Sequence, residues 1–213
     1  MHYHAIFEGT VHPSKTSTSD KFYSTLAPHL RRQPGLVEEI NYLNQNPHDS
    51  MLLSSWISEE ALTAWQILPI HLRIQKAARE GVFSEYRIRL GWESESATSR
   101  MTDAPGQFMV LYQHPKGSAH GSNNTNSMEH LLRDGCDASE ILRALLDHAV
   151  WWTETHVLHV SGWPDVATVE KFENSLERVP GDWLRRIAVA RDYTGIHRRE
   201  APEKTEPDSE KRL

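Results

Sequence analysis

The sequence lacks the features that mark secreted and membrane-spanning proteins. It contains one cysteine, Cys136, so no disulfide can form within the chain, and a reducing compartment is expected. No run of about 18 apolar residues is present, which argues against a transmembrane helix. The first residues, MHYHAIFEGT, lack the basic start and apolar core of a signal peptide. These absences predict a cytoplasmic location and no membrane partner.

Positive charge and nucleotide-binding motifs are also scarce. The chain has 23 Lys and Arg against 29 Asp and Glu, a net charge of −6 with histidine neutral. Nucleic-acid-binding proteins usually carry a basic patch or stripe, and no basic run occurs outside the last residues. No GxGxxG or P-loop motif is present. We therefore expect no nucleic-acid partner and no cofactor.

Tryptophan and histidine are abundant instead, with 7 and 13 residues. Indole rings offer flat apolar walls to a ligand, and imidazole offers acid–base chemistry near neutral pH. His2 and His4 share one face of a predicted strand and could supply two metal ligands. No third ligand is visible near them, so no metal site is predicted. His114 and His120 lie in polar loops and are expected to be solvated.

The first half alternates strands and helices in a recognisable order. Strands are predicted at residues 3–10, 36–43, 52–56 and 83–90, with helices at 20–32 and after residue 58. Ser58 is the expected N-cap of the latter helix. Pro69 breaks it into two pieces, and Gly81 ends the second piece. The order strand, helix, strand, strand, helix, strand is that of a ferredoxin-like domain.

The second half repeats this plan in divergent form. Strands are predicted at 107–113, 150–155, 156–163 and 187–193, and helices at 137–148 and 164–172. LLSSW in the first half and LHVSGW in the second both end a strand in Ser and Trp before an acid-started helix. These matches indicate an internal duplication. The predicted fold class is α+β, with two ferredoxin-like βαββαβ halves packed as an α/β barrel within one chain.

The predicted domain boundaries follow from composition. Residues 1–92 form the N-terminal domain, and the polar stretch 93–106 is a linker. Residues 107–199 form the divergent C-terminal domain. The charged residues 200–213 are expected to be a disordered tail.

The first half resembles the antibiotic biosynthesis monooxygenase (ABM) domains of the dimeric α/β-barrel superfamily. The features that carry this resemblance are Pro34-Gly35, Trp56, Glu59-Glu60-Ala61, Trp65, His71-x-x-x-Gln75, Tyr86 and Arg89. The resemblance covers residues 3–92, and it extends to the second half only through the general plan. The His-x-x-x-Gln segment is absent there, which puts a second working site in doubt.

The resemblance implies a closed barrel that two chains usually form and that one chain forms here. It also implies a pocket between sheet and helices in each half. Members of the family include cofactor-independent oxygenases of polyphenolic polyketides and haem-degrading oxygenases. A small aromatic substrate is therefore expected as the partner, and a homodimer of the fused barrel is left open.

Trp65, His71 and Gln75 are the first candidates for chemistry. A phenol must lose a proton before it passes an electron to dioxygen, and a histidine can take that proton. A nearby amide or indole N–H can hold the resulting anion. His71 and Gln75 are thus the predicted catalytic residues. The predicted substrate-binding residues are Trp65, Trp56, Tyr86, His4 and Tyr42.

The predicted function is a cofactor-independent oxygenase, or a related tailoring enzyme, acting on an aromatic polyketide-like molecule. A cyclase, isomerase or dehydratase using the same pocket is the first alternative. The others are a haem-degrading monooxygenase with His71 as axial ligand and a non-catalytic ligand-binding barrel. Trp65 as a core residue and His71 as a packing residue at the helix bend would suit that last alternative.

Overall fold

The computed structural model describes residues 1–94, 107–118, 120 and 128–195, and the strands of these segments close into one antiparallel barrel. Their order around it is β1-β3-β2-β6-β7-β5-β8-β4. The strands are β1 (Tyr3–Val11), β2 (Leu36–Leu43), β3 (Asp49–Trp56), β4 (Phe83–Glu93), β5 (Phe108–Pro115), β6 (Asp147–Trp152), β7 (His156–Trp163) and β8 (Trp183–Thr194). Each half of the chain supplies one four-stranded ferredoxin-like sheet, which confirms the predicted fold class.

Helices cover the outer faces of the barrel. They are α1 (Thr16–Leu30), α2 (Glu59–Gln66), α3 (Pro69–Arg79), α4 (Ala138–Leu142) and α5 (Val166–Ser175). The Ser58 side chain caps α2 by accepting from the Ala61 N–H at 3.2 Å. Pro69 is placed in the first turn of α3, where a missing N–H costs nothing. Among the described helices, none has the length and apolar character needed to cross a membrane.

The prediction of one long helix at 137–148 was wrong. The helix α4 ends at Leu142, and β6 already begins at Asp147. The Leu146 N–H donates to Gly162 O at 2.9 Å, and the next residues pair with β7. Pairing with the next strand, β7, therefore overrides the helical spacing of the leucines.

The predicted linker and tail fall largely outside the described residues, which omit 95–106 and 196–213. The domain boundaries drawn from composition therefore stay a prediction. The strands on either side of the first gap, β4 and β5, both hydrogen-bond to β8.

The barrel interior is filled by apolar side chains from both halves. They include Ile6, Tyr42, Met51 and Leu53 from the first half and Met109, Leu111, Leu158, Val160 and Ile187 from the second. Two further clusters lie outside the barrel, one between each half-sheet and its helices. Because side chains alternate along a strand, each strand serves the interior and one helix-facing cluster at once.

Charged groups join the two halves at one end of the barrel. Arg89 of β4 donates to Glu8 Oε2 at 2.6 Å and to Asp147 Oδ1 at 2.9 Å. Arg87 donates to Asp147 and to Asp192, at 2.9 Å in each case. Since Asp147 and Asp192 belong to the second half, these ion pairs hold the half-sheets together.

The duplication is visible in matching hydrogen bonds. The Trp56 indole N–H donates to Ser54 Oγ at 3.0 Å, and Ser54 donates to Ala5 O. In the second half Trp163 donates to Ser161 Oγ at 2.9 Å, and Ser161 donates to Val110 O. The Ser-x-Trp repeat of the sequence is thus also a structural repeat.

Replacing Arg89 by Ala is expected to lower the free energy of unfolding by about 3–5 kcal/mol, because Glu8 would stay buried without its partner. The Arg89 side chain is only 3% exposed. Urea unfolding followed by circular dichroism measures the change. Lys171→Ala is the control, because its side chain and that of its partner Glu140 are 45% and 55% exposed and such pairs contribute at most about 1 kcal/mol. Equal losses in the two variants would contradict the prediction.

Candidate active site

The bend between α2 and α3 brings Trp65 and His71 into contact. Their rings stack with centroids 4.2 Å apart and an interplanar angle of 25°. His71 Nδ1 lies 3.0 Å from Trp65 O. A carbonyl oxygen can only accept, so this contact requires the proton on Nδ1 in neutral imidazole and leaves the basic lone pair on Nε2.

Gln75 lies one turn after His71, on the same face of α3. Its Nε2 group donates to Gln66 O at 3.4 Å, while its Oε1 atom is buried without a hydrogen-bond partner among the described residues. Buried acceptors are rarely left unpaired in folded proteins. Gln75 Oε1 is therefore an acceptor to which a ligand hydroxyl could donate a hydrogen bond.

Trp56 and Tyr86 lie on the same helix-facing side of the sheet. Trp56 is fully buried and packs in one cluster with Trp65. The Tyr86 ring stacks with Phe7 at a centroid distance of 6.2 Å. The structure thus groups Trp56, Trp65 and His71 on this side of the sheet, while Tyr86 stacks with Phe7 on the same face.

His4 and Tyr42 lie on the opposite face of the sheet, inside the barrel. His4 Nδ1 is 3.0 Å from Ser55 Oγ, and the Tyr42 hydroxyl donates to Gln113 Oε1 at 2.7 Å. Burial lowers the pKa of His4 to about 4, so its imidazole is neutral at pH 7. The structure does not bring these two residues together with His71. Their side chains point into the barrel, whereas His71 lies on the helix-facing side of the sheet.

Tyr3 and Trp92 join the helix-facing cluster, and the sequence reasoning missed both. Their rings meet edge to face at 4.5 Å. Burial, followed by the nearby Glu59 carboxylate, raises the pKa of Tyr3 to about 12. The alternation of side chains along β1 could have identified Tyr3, because Tyr3 points to the same side of the strand as Ala5 and Phe7.

The second half holds a buried cluster of histidines that was also missed. His114, His120 and His159 are 1%, 4% and 2% exposed, so the expectation that His114 and His120 are solvated was wrong. His130 and His148 complete the cluster, with rings 5.6 and 5.5 Å from that of His159. The loop sequence gave no hint of this, because the covering residues come from distant parts of the chain.

Three of these imidazoles form a hydrogen-bonded chain. His148 Nε2 lies 3.2 Å from His159 Nδ1. His159 Nε2 lies 3.3 Å from His114 Nε2. At the far end, His114 Nδ1 is 3.0 Å from both Pro115 O and Ser118 Oγ. Each nitrogen contact can be a hydrogen bond only if one ring donates and the other accepts.

A tyrosine–carboxylate network borders this chain. The Tyr112 hydroxyl donates to Asp182 Oδ2 at 2.9 Å and contacts His120 Nε2 at 3.1 Å. Arg178 donates to both Asp182 oxygens, at 2.7 and 2.8 Å. Burial raises the pKa of Asp182, but hydrogen bonds from Arg178, the Val179 N–H and Tyr112 outweigh it and lower the pKa to about 2.

No group of three or more His, Cys, Asp or Glu residues in the described segments has a geometry that could hold a metal ion.

The chain thus consists of two fused ferredoxin-like halves with helix-covered outer faces, and it is similar to a curated monooxygenase and to solved ABM-type structures. No protein-family model matches the chain. It is 28% identical over 216 residues to the curated protein jasmonate monooxygenase ABM of Pyricularia oryzae, covering 96% of this chain and 98% of the relative.

Two of the similar solved structures each cover about half of the chain. Rv0793 from Mycobacterium tuberculosis is 14% identical with a TM-score of 0.42, over 46% of this chain and 100% of its own. A variant of SnoaB, a cofactor-independent oxygenase from Streptomyces nogalater, is 16% identical with a TM-score of 0.38, over 48% and 98%.

Asp182→Asn is expected to lower the free energy of unfolding at pH 7 by about 1–3 kcal/mol, because charge-assisted hydrogen bonds are lost. The folded pKa lies below the ordinary value of about 4, so this stabilisation is present above that pH and is lost as the pH falls towards about 2. Urea unfolding at several pH values measures the difference. The exposed Asp134→Asn serves as control, and a difference that persists undiminished at the lowest pH would contradict the assignment.

Proposed function

We propose that this protein is a monooxygenase acting on a small molecule that ionises to an electron-rich anion, such as a phenol or an anthrone. The observation that carries the proposal is the similarity to a named monooxygenase over 96% of this chain and 98% of the relative. The helix-facing side of the first half holds buried aromatic rings, the His71 imidazole and the Gln75 Oε1 atom, which has no hydrogen-bond partner among the described residues.

His71 is the proposed base. Its Nδ1–H is held by Trp65 O at 3.0 Å, so Nε2 is the atom that takes the substrate proton. The stacked Trp65 ring limits how the imidazole can turn. Gln75 Oε1 would accept a hydrogen bond from a substrate hydroxyl and so orient the ring to be oxidised.

The proposed reaction balances without an added reductant. An anthrone loses two hydrogens from one carbon, and that carbon gains one oxygen atom of O₂ as a carbonyl. The second oxygen atom leaves as water with both hydrogens. The substrate therefore supplies all the electrons, and the protein needs to supply only proton transfer and orientation.

A second candidate follows from the name of the curated relative. Hydroxylation of jasmonate, a cyclopentanone carboxylic acid, inserts one oxygen atom into a C–H bond and leaves the second as water. That step needs two electrons from an external reductant of the nicotinamide or flavin class. The two candidates therefore differ in whether oxygen uptake requires such a reductant.

Oxygen uptake with dithranol, an anthrone, is expected without any reductant, and uptake with jasmonate only with reduced nicotinamide or reduced flavin. His71→Ala is expected to reduce kcat/KM by about 10²–10⁴-fold, as loss of a general base does. An oxygen electrode, with mass spectrometry of the product, measures both. The control is His29→Ala, an exposed residue on α1. Full turnover by His71→Ala would remove His71 from the mechanism, and no uptake under any condition would refute the proposed function.

The proposed activity does not need a second copy of the chain, because the barrel closes within one. A homodimer of the fused barrel stays a prediction, which size-exclusion chromatography with light scattering can decide.

A further inference from the structure

We propose that the second half opens locally in mild acid: protonation of the hydrogen-bonded imidazoles His114 and His159 loosens the segments that cover them, while the first half stays closed. The inference concerns the fold and does not rest on the proposed function. It is carried by two side chains that are 1% and 2% exposed and whose hydrogen-bond partners in the described part of the chain include no carboxylate.

Two segments of the second half, residues 128–133 and 176–182, join to form a cover over the imidazoles. Leu132 pairs with Leu176 as an isolated bridge, and the Arg133 guanidinium donates to Leu176 O at 3.1 Å. A backbone hydrogen bond also connects the two segments. The cover can therefore move away from the sheet as one unit.

The cover lies against the imidazoles. The ring of His130, in the first of its segments, has its centroid 5.6 Å from that of His159. His120 Nε2 lies 2.8 Å from Glu177 O in the second segment, and the His120 ring centroid is 5.2 Å from that of His114. Charging or displacing His114 and His159 therefore acts directly on the groups that contact the cover.

The contact between His114 and His159 has room for one proton. Their Nε2 atoms are 3.3 Å apart, so one ring must donate and the other accept. Pro115 O can only accept, so its 3.0 Å contact places a proton on His114 Nδ1, and Nε2 of neutral His114 then accepts from His159. One added proton leaves a positive charge in the buried pair. A second sets N–H against N–H and breaks the contact.

The surroundings of the pair offer an added proton little compensation. Asp182 is the carboxylate whose charge acts on His114, but Arg178 donates to both of its oxygens, and the Val179 N–H and the Tyr112 hydroxyl donate to Oδ2. The other titratable or charged groups that face the pair or the adjacent Tyr112 are His120, His130, His148, Glu177 and Arg178. A buried charge without a partner of its own is costly, so protonation favours an open form in which water reaches the rings.

The direction of the pH dependence follows from the two rings. Burial, followed by the nearby imidazoles, lowers the pKa of His159 well below its ordinary value, and burial also lowers the pKa of His114. Exposed imidazoles have a pKa of about 6.5. Below that pH the open form binds more protons than the closed form, so the closed form loses stability as the pH falls. Each ring changes the opening equilibrium by up to about tenfold per pH unit.

The first half shows that the fold does not need imidazoles at these positions. The strand pairs β1–β3 and β5–β7 can be aligned on the repeated Ser-x-Trp. The alignment places Gly9 and Leu52 where the second half has His114 and His159. The acid-sensitive pair is therefore a feature that the second half adds to the shared scaffold, and opening is expected in that half.

Amide hydrogen exchange, followed by mass spectrometry of peptides, is the first test. Between pH 7 and pH 5 the protection factors of the cover, corrected for the intrinsic exchange rates, should fall at least about tenfold and should recover on return to pH 7. Those of β3 in the first half should fall less. No fall in the cover, or an equal fall in both halves, would overturn the proposal.

The second test replaces one ring of the pair. His159→Leu introduces the residue that the first half has at this position, and His159→Gln keeps hydrogen-bonding atoms without a titratable group. In either variant the fall in cover protection should be at least about threefold smaller. His4→Gln is the control, since it removes the imidazole inside the barrel whose pKa burial lowers to about 4 and should leave the fall in the cover unchanged. An undiminished fall in a His159 variant that is folded at pH 7 would contradict the proposal.

The third test needs no variant, so it decides the matter even if neither His159 variant folds. Imidazole ¹⁵N chemical shifts report whether a ring is neutral or protonated. In the closed form the rings of His114 and His159 should stay neutral at pH 5.5, where exposed imidazoles are largely protonated. If both rings are protonated at that pH while the cover keeps its full protection, the proposal is wrong. None of the three tests uses turnover, so failure of the proposed function leaves them unaffected.

Discussion

Closure of two half-sheets into one barrel is the constraint on which both sites depend. The seam between β4 and β8 is long, with paired residues from Arg87 to Glu93. The opposite seam joins Leu43 to Trp152, supported by a hydrogen bond from Asn44 to Val150 O. Ion pairs across the halves, including Arg185 with Glu38 at 2.5 Å, add to these contacts. Without closure the interior faces would expose their apolar residues to water.

The barrel interior holds a buried cluster of mainly apolar side chains from both halves. Trp65, His71 and the linked imidazoles lie instead on the helix-facing side of the strands. That face is built twice on one plan, with the Ser-x-Trp hydrogen bonds repeated. In the first half it carries Trp65 and His71, and in the second it carries linked imidazoles. The two halves therefore share a scaffold and differ in the groups displayed on it.

The sequence predicted what local signals determine. The bounds of β2, the Ser58 cap, the break at Pro69 and the repeated Ser-x-Trp all follow from residues close together in the chain. The helix at 137–148 was mispredicted because β6 exists through pairing with β7. His114 and His120 were judged from their polar loop, whereas the groups around them, including His159 and Glu177, come from distant segments. The side chains of His4 and Tyr42 point to the opposite face of the sheet from the one that His71 covers. Only the assembled barrel shows which face of the sheet is inside.

The contrast between the halves bears on how a duplicated fold acquires chemistry. A buried polar group is costly unless it is hydrogen-bonded, and a chain of imidazoles satisfies this only when every ring is present and correctly oriented. Leu52 shows that an aliphatic side chain serves the corresponding position, so the histidines add a requirement that packing does not impose. Because the first half already supplies half of the barrel and the other helix-facing site, the second half could accept buried polar groups without losing the fold. The short α4 and the early start of β6 belong to the same divergence, since they place His148 on a strand within reach of His159.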